Sequence, residues 1–128
     1  MEYSAIFHDM DKRFCYAIDK DVFVIRVQVK KDDMKEIILH YEDKYIPMER
    51  KDTRKTIPMK KVATSQFHDY YEAQLQMHLI CLRYFFEFID TDGEKVYYGN
   101  YEFNKDCITN RDRMFDCPQN LREEEMFE

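Results

Sequence analysis

The sequence predicts an all-β protein, an immunoglobulin-like antiparallel β-sandwich. Apolar and polar residues alternate with period 2 in several short runs, the signature of strands with one face buried. Rings are dense, ten Tyr and ten Phe making up 16% of the chain, and aromatic side chains fit half-buried pleated surfaces. Asp90-Thr91-Asp92-Gly93 lies between two aromatic runs and supplies residues that tolerate positive φ, which reads as a hairpin. A chain of 128 residues with about eight short strands makes one domain, long enough to bury a single core without staples.

Taken in order, Tyr3 to His8 and Phe14 to Ile18 are short strand candidates on either side of a charged turn, 9–13. Asp21 to Lys31 is stronger. Phe23, Ile25, Val27 and Val29 alternate there with Val24, Arg26 and Gln28, and β-branched residues dominate, so the strand is predicted central in its sheet. After the polar turn Lys31-Asp32-Asp33, Glu36 to Tyr41 forms the next strand with Ile37, Leu39 and Tyr41 on one face. A connection this short predicts that the two pair antiparallel. The pattern weakens over 42–65 into a charged loop and one strand, Lys55 to Val62, whose Pro58 predicts an edge where no ladder hydrogen bond is lost.

The run Phe67 to Leu75 sets Phe67, Tyr71, Ala73 and Leu75 against His68, Tyr70, Glu72 and Gln74. In Leu82 to Phe88 the residues Leu82, Tyr84, Phe86 and Phe88 share a face, with Arg83, Phe85 and Glu87 opposite. The hairpin turn then leads into Glu94 to Tyr98, and Tyr101 to Phe103 finishes the last strand. Shared parity predicts a core containing Phe23, Ile25, Val27, Leu39, Tyr71, Ala73, Tyr84, Phe86 and Phe88. From Asn104 to Glu128 no period is sustained, so residues 1–103 are read as the sandwich and 104–128 as a carboxy-terminal strand and connector. Only two Gly and three Pro occur; the turns must use Asp, Asn and Lys.

Composition narrows the function. A net charge of −6 and pI near 5.3 repel a phosphate backbone, which argues against nucleic acid. Clustered cations at Arg50, Lys51, Arg54, Lys55, Lys60 and Lys61 lack interleaved rings and read as a solvated hairpin. No run approaches the roughly 20 apolar residues of a membrane span. Cys15, Cys81, Cys107 and Cys117 have no metal-binding spacing, and the amino-terminal residues lack the basic start and apolar run of a secretory signal, so a cytoplasmic protein with free thiols is expected.

His8, His40, His68 and His78 show neither finger nor helix-type zinc spacing and are expected at surfaces or edges. Asp90-x-Asp92-Gly93 departs from a calcium loop, with glycine at the fourth position and Tyr101 at the twelfth. With Gly93 and Gly99 the only glycines, there is no phosphate loop and no nucleophile elbow. A carboxylate pair suited to glycosidic chemistry is not marked out. No cofactor and no metal are expected, and the residues by themselves point to a non-catalytic binding or interaction module.

Five phrases in order, AIFH (5–8), FCYAIDKDVFVIRVQVKKDD (14–33), IILHYEDKY (37–45), FHDYYEAQL (67–75) and LRYFFEFIDTDGEKVYYG (82–99), resemble the amino-terminal domain of the neopullulanase, cyclomaltodextrinase and maltogenic amylase group of the alpha-amylase superfamily. The resemblance covers most of the chain. It implies a β-sandwich of carbohydrate-binding module family 34, placed before a catalytic TIM barrel whose aspartate and glutamate motifs have no counterpart here. It further implies a weak α-glucan oligosaccharide partner, contact with the barrel of the same chain, and a homodimer in which this domain borders the partner's active site.

That contact is expected where the segment 40–47 leaves its strand, so Tyr45 and Tyr41 become candidates for carbohydrate or subunit contact. Tyr70, on the polar parity of its strand, is another. The tryptophan that members often carry after the EDKY phrase is absent. Met114, Phe115, Leu121, Met126 and Phe127 are apolar residues in a charged tail and are expected to pack on the barrel. Two classes stay open, a carbohydrate-associated module and a purely structural dimerisation domain; a free-standing adhesion domain is disfavoured by the missing signal peptide.

Overall fold

Alternating burial along the strands folds the chain into two antiparallel sheets with their apolar faces together, as the sequence predicts. The computed structural model describes residues 1–11, 13–19, 22–43, 54–76 and 82–117. Its strands are β1 (Cys15–Asp19), β2 (Val22–Lys30), β3 (Met34–Asp43), β4 (Lys55–Pro58), β5 (Lys60–Thr64), β6 (His68–Gln76), β7 (Leu82–Asp90), β8 (Lys95–Gly99), β9 (Glu102–Asn104) and β10 (Phe115–Cys117). Sheet A has the order β1-β2-β6-β5. Sheet B runs β4-β3-β7-β8-β9, with β10 also paired to β7. All nine predicted core residues are buried, and Ile37, Leu75, Leu82, Tyr98 and Phe115 join them.

Several local expectations change. Strand β2 is central, but it does not pair with β3; its neighbours are β1 and β6, while β3 lies between β4 and β7. The turn after Lys30 therefore crosses from one sheet to the other, with Asp32 in the left-handed region (φ 59) and its N–H donated to Asp69 Oδ2 at 3.0 Å. Crossing lets the apolar faces of both strands meet across the core, and each strand still finds two ladder partners. The single strand expected over Lys55 to Val62 is two, because buried Met59 anchors the point where the chain passes from sheet B to sheet A. Pro58 ends β4 at the sheet edge, where its missing N–H costs nothing.

Residues Tyr3–Ala5 form a 3-10 turn instead of a strand, and only Phe7 bridges to Gln28. This segment runs beside β2 and sets His8 between Arg26 of one sheet and Tyr84, Phe86 and Phe115 of the other. His8 is buried, so the expectation of surface or edge histidines is corrected here. Phe67 shares the core parity but sits before β6 begins and is 66% exposed. Phe85, on the outward parity of β7, is buried because Ile108 and Met114 of the loop after β9 cover it. Met114 and Phe115, expected on a separate domain, are thus buried in this one; Leu121, Met126 and Phe127 lie outside the described residues.

Gly99 is where that loop comes closest. A β-carbon there would stand 2.3 Å from the Arg113 carbonyl oxygen and 2.9 Å from Ile108 Cδ1, so backbone would have to move. Gly99→Ala is expected to destabilise the domain by about 1–3 kcal/mol, measured as a lower urea midpoint. An unchanged midpoint would show that the loop yields freely.

Candidate functional site

Buried carboxylates are the first place to look for chemistry, and each has a structural task. Glu42 Oε1 accepts from Arg111 Nε at 3.2 Å and has Arg54 Nη2 at 3.8 Å, which ties the loop after β9 to strand β3. Glu87 Oε1 meets His40 Nε2 at 2.7 Å, and Lys95 Nζ lies 3.4 Å from its other oxygen. The His40 ring stacks on Phe85 with centroids 4.5 Å apart.

Asp69 accepts from Thr64 Oγ1 (2.7 Å) and the Asp32 N–H (3.0 Å), with Lys61 at 3.3 Å. Burial acts to raise its pKa, but these donors outweigh burial and hold it below the usual carboxylate range. Asp90 behaves likewise. Its oxygens take the Asp92 and Glu94 N–H groups and the Met1 ammonium, which makes the Asp90 segment a side-chain-capped turn, as the sequence reading held. Among the described residues no three His, Cys, Asp or Glu side chains gather as a metal site, and no helix is long and apolar enough to cross a membrane.

Of the tyrosine candidates, Tyr41 and Tyr70 lie in different sheets. Tyr41 on β3 faces Tyr84 and Lys55 in the ladders and is half-buried against the core; burial pushes its phenol pKa up. Tyr70 on β6 stands in the row of Gln28 and Ala63, half-buried on the outer face of sheet A. Tyr45 lies outside the described residues. The basic cluster is represented by Arg54, Lys55, Lys60 and Lys61, while Arg50 and Lys51 are also outside. Arg54 sits over the Phe85 ring at 5.6 Å and donates to the Ile108 carbonyl at 3.1 Å, so it serves packing.

Sequence reading missed other rings. Tyr16 on β1 shares the outer face of sheet A, its hydroxyl 3.4 Å from Glu72 Oε2, which also accepts from Arg26 Nε at 2.6 Å. At the far edge of sheet B, Tyr3 and Phe103 are each 39% exposed and Tyr101 is 50% exposed. Asn100 (φ 46) and Tyr101 (φ 64) form the two-residue turn between β8 and β9, and a side chain in the left-handed region costs of order 1 kcal/mol. The legible signal was Gly-Asn-Tyr-Glu-Phe at 99–103, rings flanking an Asn turn.

The family model described as alpha amylase, N-terminal ig-like domain, matches residues 1–119. A cyclomaltodextrinase from Bacillus sp is 30% identical over 114 residues, 89% of this chain and 20% of the relative. A maltogenic alpha-amylase from Bacillus acidopullulyticus is 39% identical over 82 residues, 64% of this chain and 14% of the relative. Among solved structures, a cyclomaltodextrinase superposes with a TM-score of 0.81 at 30% identity, covering 92% of this chain and 20% of that one. The chain thus spans about a fifth or less of the length of these relatives. Two sheets in this order, a core built on β2, β3, β6 and β7, and a family match through residue 119 agree: this chain belongs to the N-terminal Ig-like domain family of the alpha-amylases.

Proposed function

We propose that this chain serves as the N-terminal accessory domain of a larger cytoplasmic α-glucan hydrolase of cyclomaltodextrinase, neopullulanase or maltogenic amylase type. It breaks no glycosidic bond; a TIM barrel elsewhere in the parent chain would do so. The observation that carries the reading is the family match over residues 1–119, together with relatives more than four times as long whose names state action on cyclomaltodextrin or formation of maltose. Within the parent the domain binds α-glucan weakly, since a tyrosine ring offers an apolar plate to a pyranose face but limited buried area to offset the cost of association. Tyr70, Tyr45 and Tyr41 are the rings proposed for that contact or for the contact with a second subunit.

Titrating maltotriose and β-cyclodextrin against isotopically labelled chain is expected to produce saturable shifts at millimolar sugar, and the same sample is expected to release no reducing sugar. Tyr45→Ala and Tyr70→Ala should weaken the response. A second reading, subunit contact without sugar affinity, is favoured by the exposed apolar side chains Ile18 and Phe67 on sheet A and just before β6. Silence in the titration, with a parent enzyme that falls to monomers when this domain is deleted, would select the second reading.

A further inference from the structure

The edge of sheet B at β9 displays three partly exposed rings, Tyr3, Phe103 and Tyr101, each seated on another ring. Phe103 stacks on buried Tyr98 with centroids 4.4 Å apart, and Tyr3 meets Phe103 edge-on at 4.9 Å. Tyr101, in the turn before β9, meets buried Phe115 edge-on at 5.0 Å. The inner rings fix the outer ones, so three aromatic side chains are held in place and remain 39–50% exposed. A carboxylate stands at each end of the row: Tyr3 Oη donates to Glu94 Oε1 at 3.3 Å, and Tyr101 Oη donates to Asp9 Oδ1 at 3.0 Å. Burial and then Asp9 push the Tyr101 pKa up to about 12, so its hydroxyl remains a donor at neutral pH.

The turn that displays Tyr101 is costly for this residue. Two positive φ angles in a two-residue hairpin define a turn of type I′, in which Asn suits the first position and Gly the second. Here the second residue is tyrosine. Strain of this kind persists where the surrounding structure holds it, and such positions cluster at binding sites. Packing on Phe115 and the bond to Asp9 supply the hold.

Resting on the accessory-domain reading, we propose that the row Tyr3, Phe103 and Tyr101 is a second α-glucan contact, distinct from Tyr70, Tyr45 and Tyr41. Its chemistry is amphipathic in the way a sugar requires. The rings cover the C–H faces of successive pyranoses, while Glu94 and Asp9 accept from hydroxyls along the rim. Acidic ends disfavour an anionic ligand and leave a neutral polyol the better match. Because three rings are exposed along this edge, a longer α-1,4-linked oligosaccharide should bind more tightly than maltose.

The test is a titration of maltohexaose and maltose against labelled full chain, wild type and two variants. Tyr101→Gly places the preferred residue in the turn, so the hairpin persists without the ring; Tyr3→Ala removes another ring of the row from a 3-10 turn outside the strands. Expected are amide shifts centred on residues 100–104 and 2–5, tighter binding of maltohexaose than of maltose, and about tenfold weaker association in Tyr101→Gly. Unchanged affinity in both variants, with binding lost in Tyr70→Ala, would overturn the row and leave the accessory reading standing. A wild type that shows no saturable shift with either sugar would overturn both. Concentration-dependent self-association that Tyr101→Gly abolishes, without any sugar response, would mark the row as a protein contact and likewise overturn it.

Discussion

Replacing Phe86 with alanine is expected to cost about 3–5 kcal/mol, a large part of the roughly 5–15 kcal/mol that holds a domain folded. Phe86 is fully buried on β7, opposite Leu39 on one side and Tyr98 on the other. Its ring lies 4.9 Å from His8, 5.8 Å from Phe88 and 5.9 Å from both Tyr84 and Phe115. Removing it opens a cavity walled by other rings, which rotate as plates and collapse poorly into the space. Urea unfolding should show the loss as a lowered midpoint. Phe67→Ala is the control, since its ring is 66% exposed and should change stability by less than about 0.5 kcal/mol. A Phe86→Ala midpoint within that range of wild type would contradict the packing described.

Acidification is expected to remove about 3 kcal/mol through one residue. His8 is 2% exposed, with Nδ1 2.7 Å from the Arg26 carbonyl oxygen and Nε2 2.7 Å from Tyr84 Oη. A carbonyl can only accept, so Nδ1 carries the proton and Nε2 accepts from the tyrosine. Burial lowers the His8 pKa from 6.5 to about 4; the Arg26 carbonyl, Asp9 and Asp11 oppose that without overcoming it. Because the folded pKa is depressed, the unfolded chain binds the proton more readily, and stability rises with pH between the two values. The contribution is therefore complete above pH 6.5 and lost as pH falls from 6.5 towards 4, at 1.36 kcal/mol for each pKa unit. Comparing wild type with His8→Leu isolates it from His40, His68 and His78. The variant should lose less stability over that range, and parallel curves would refute the assignment.

Both residues show how legibility divides. Phe86 could be placed in the core from its neighbours Leu82, Tyr84 and Phe88, because parity along a strand is a local property and one buried face imposes it. His8 could not, since its partners Arg26 and Tyr84 are 18 and 76 positions away and nothing in its own segment reports the gap it fills. The candidate rings divide in the same way. Tyr70 could be placed on an outer face by parity. The exposure of Tyr3, Phe103 and Tyr101 depends on where the amino-terminal segment crosses the β9 edge.

By itself the sequence determined the strand class, the inward residues of β2, β3, β6 and β7, the Asp90 turn, and a family resemblance that the match over residues 1–119 bears out. Those follow from short-range alternation and turn chemistry, which act over a few residues. Tertiary structure alone decided which strands share a sheet, that β2 and β3 face each other across the core instead of pairing, and that Lys55 to Thr64 divides at Met59 between two sheets. It also decided that Phe85 is covered by Ile108 and Met114. The reason is that a three-residue turn can close a hairpin or cross a sandwich. Which one forms depends on where the apolar faces and ladder edges of strands far apart in sequence find partners.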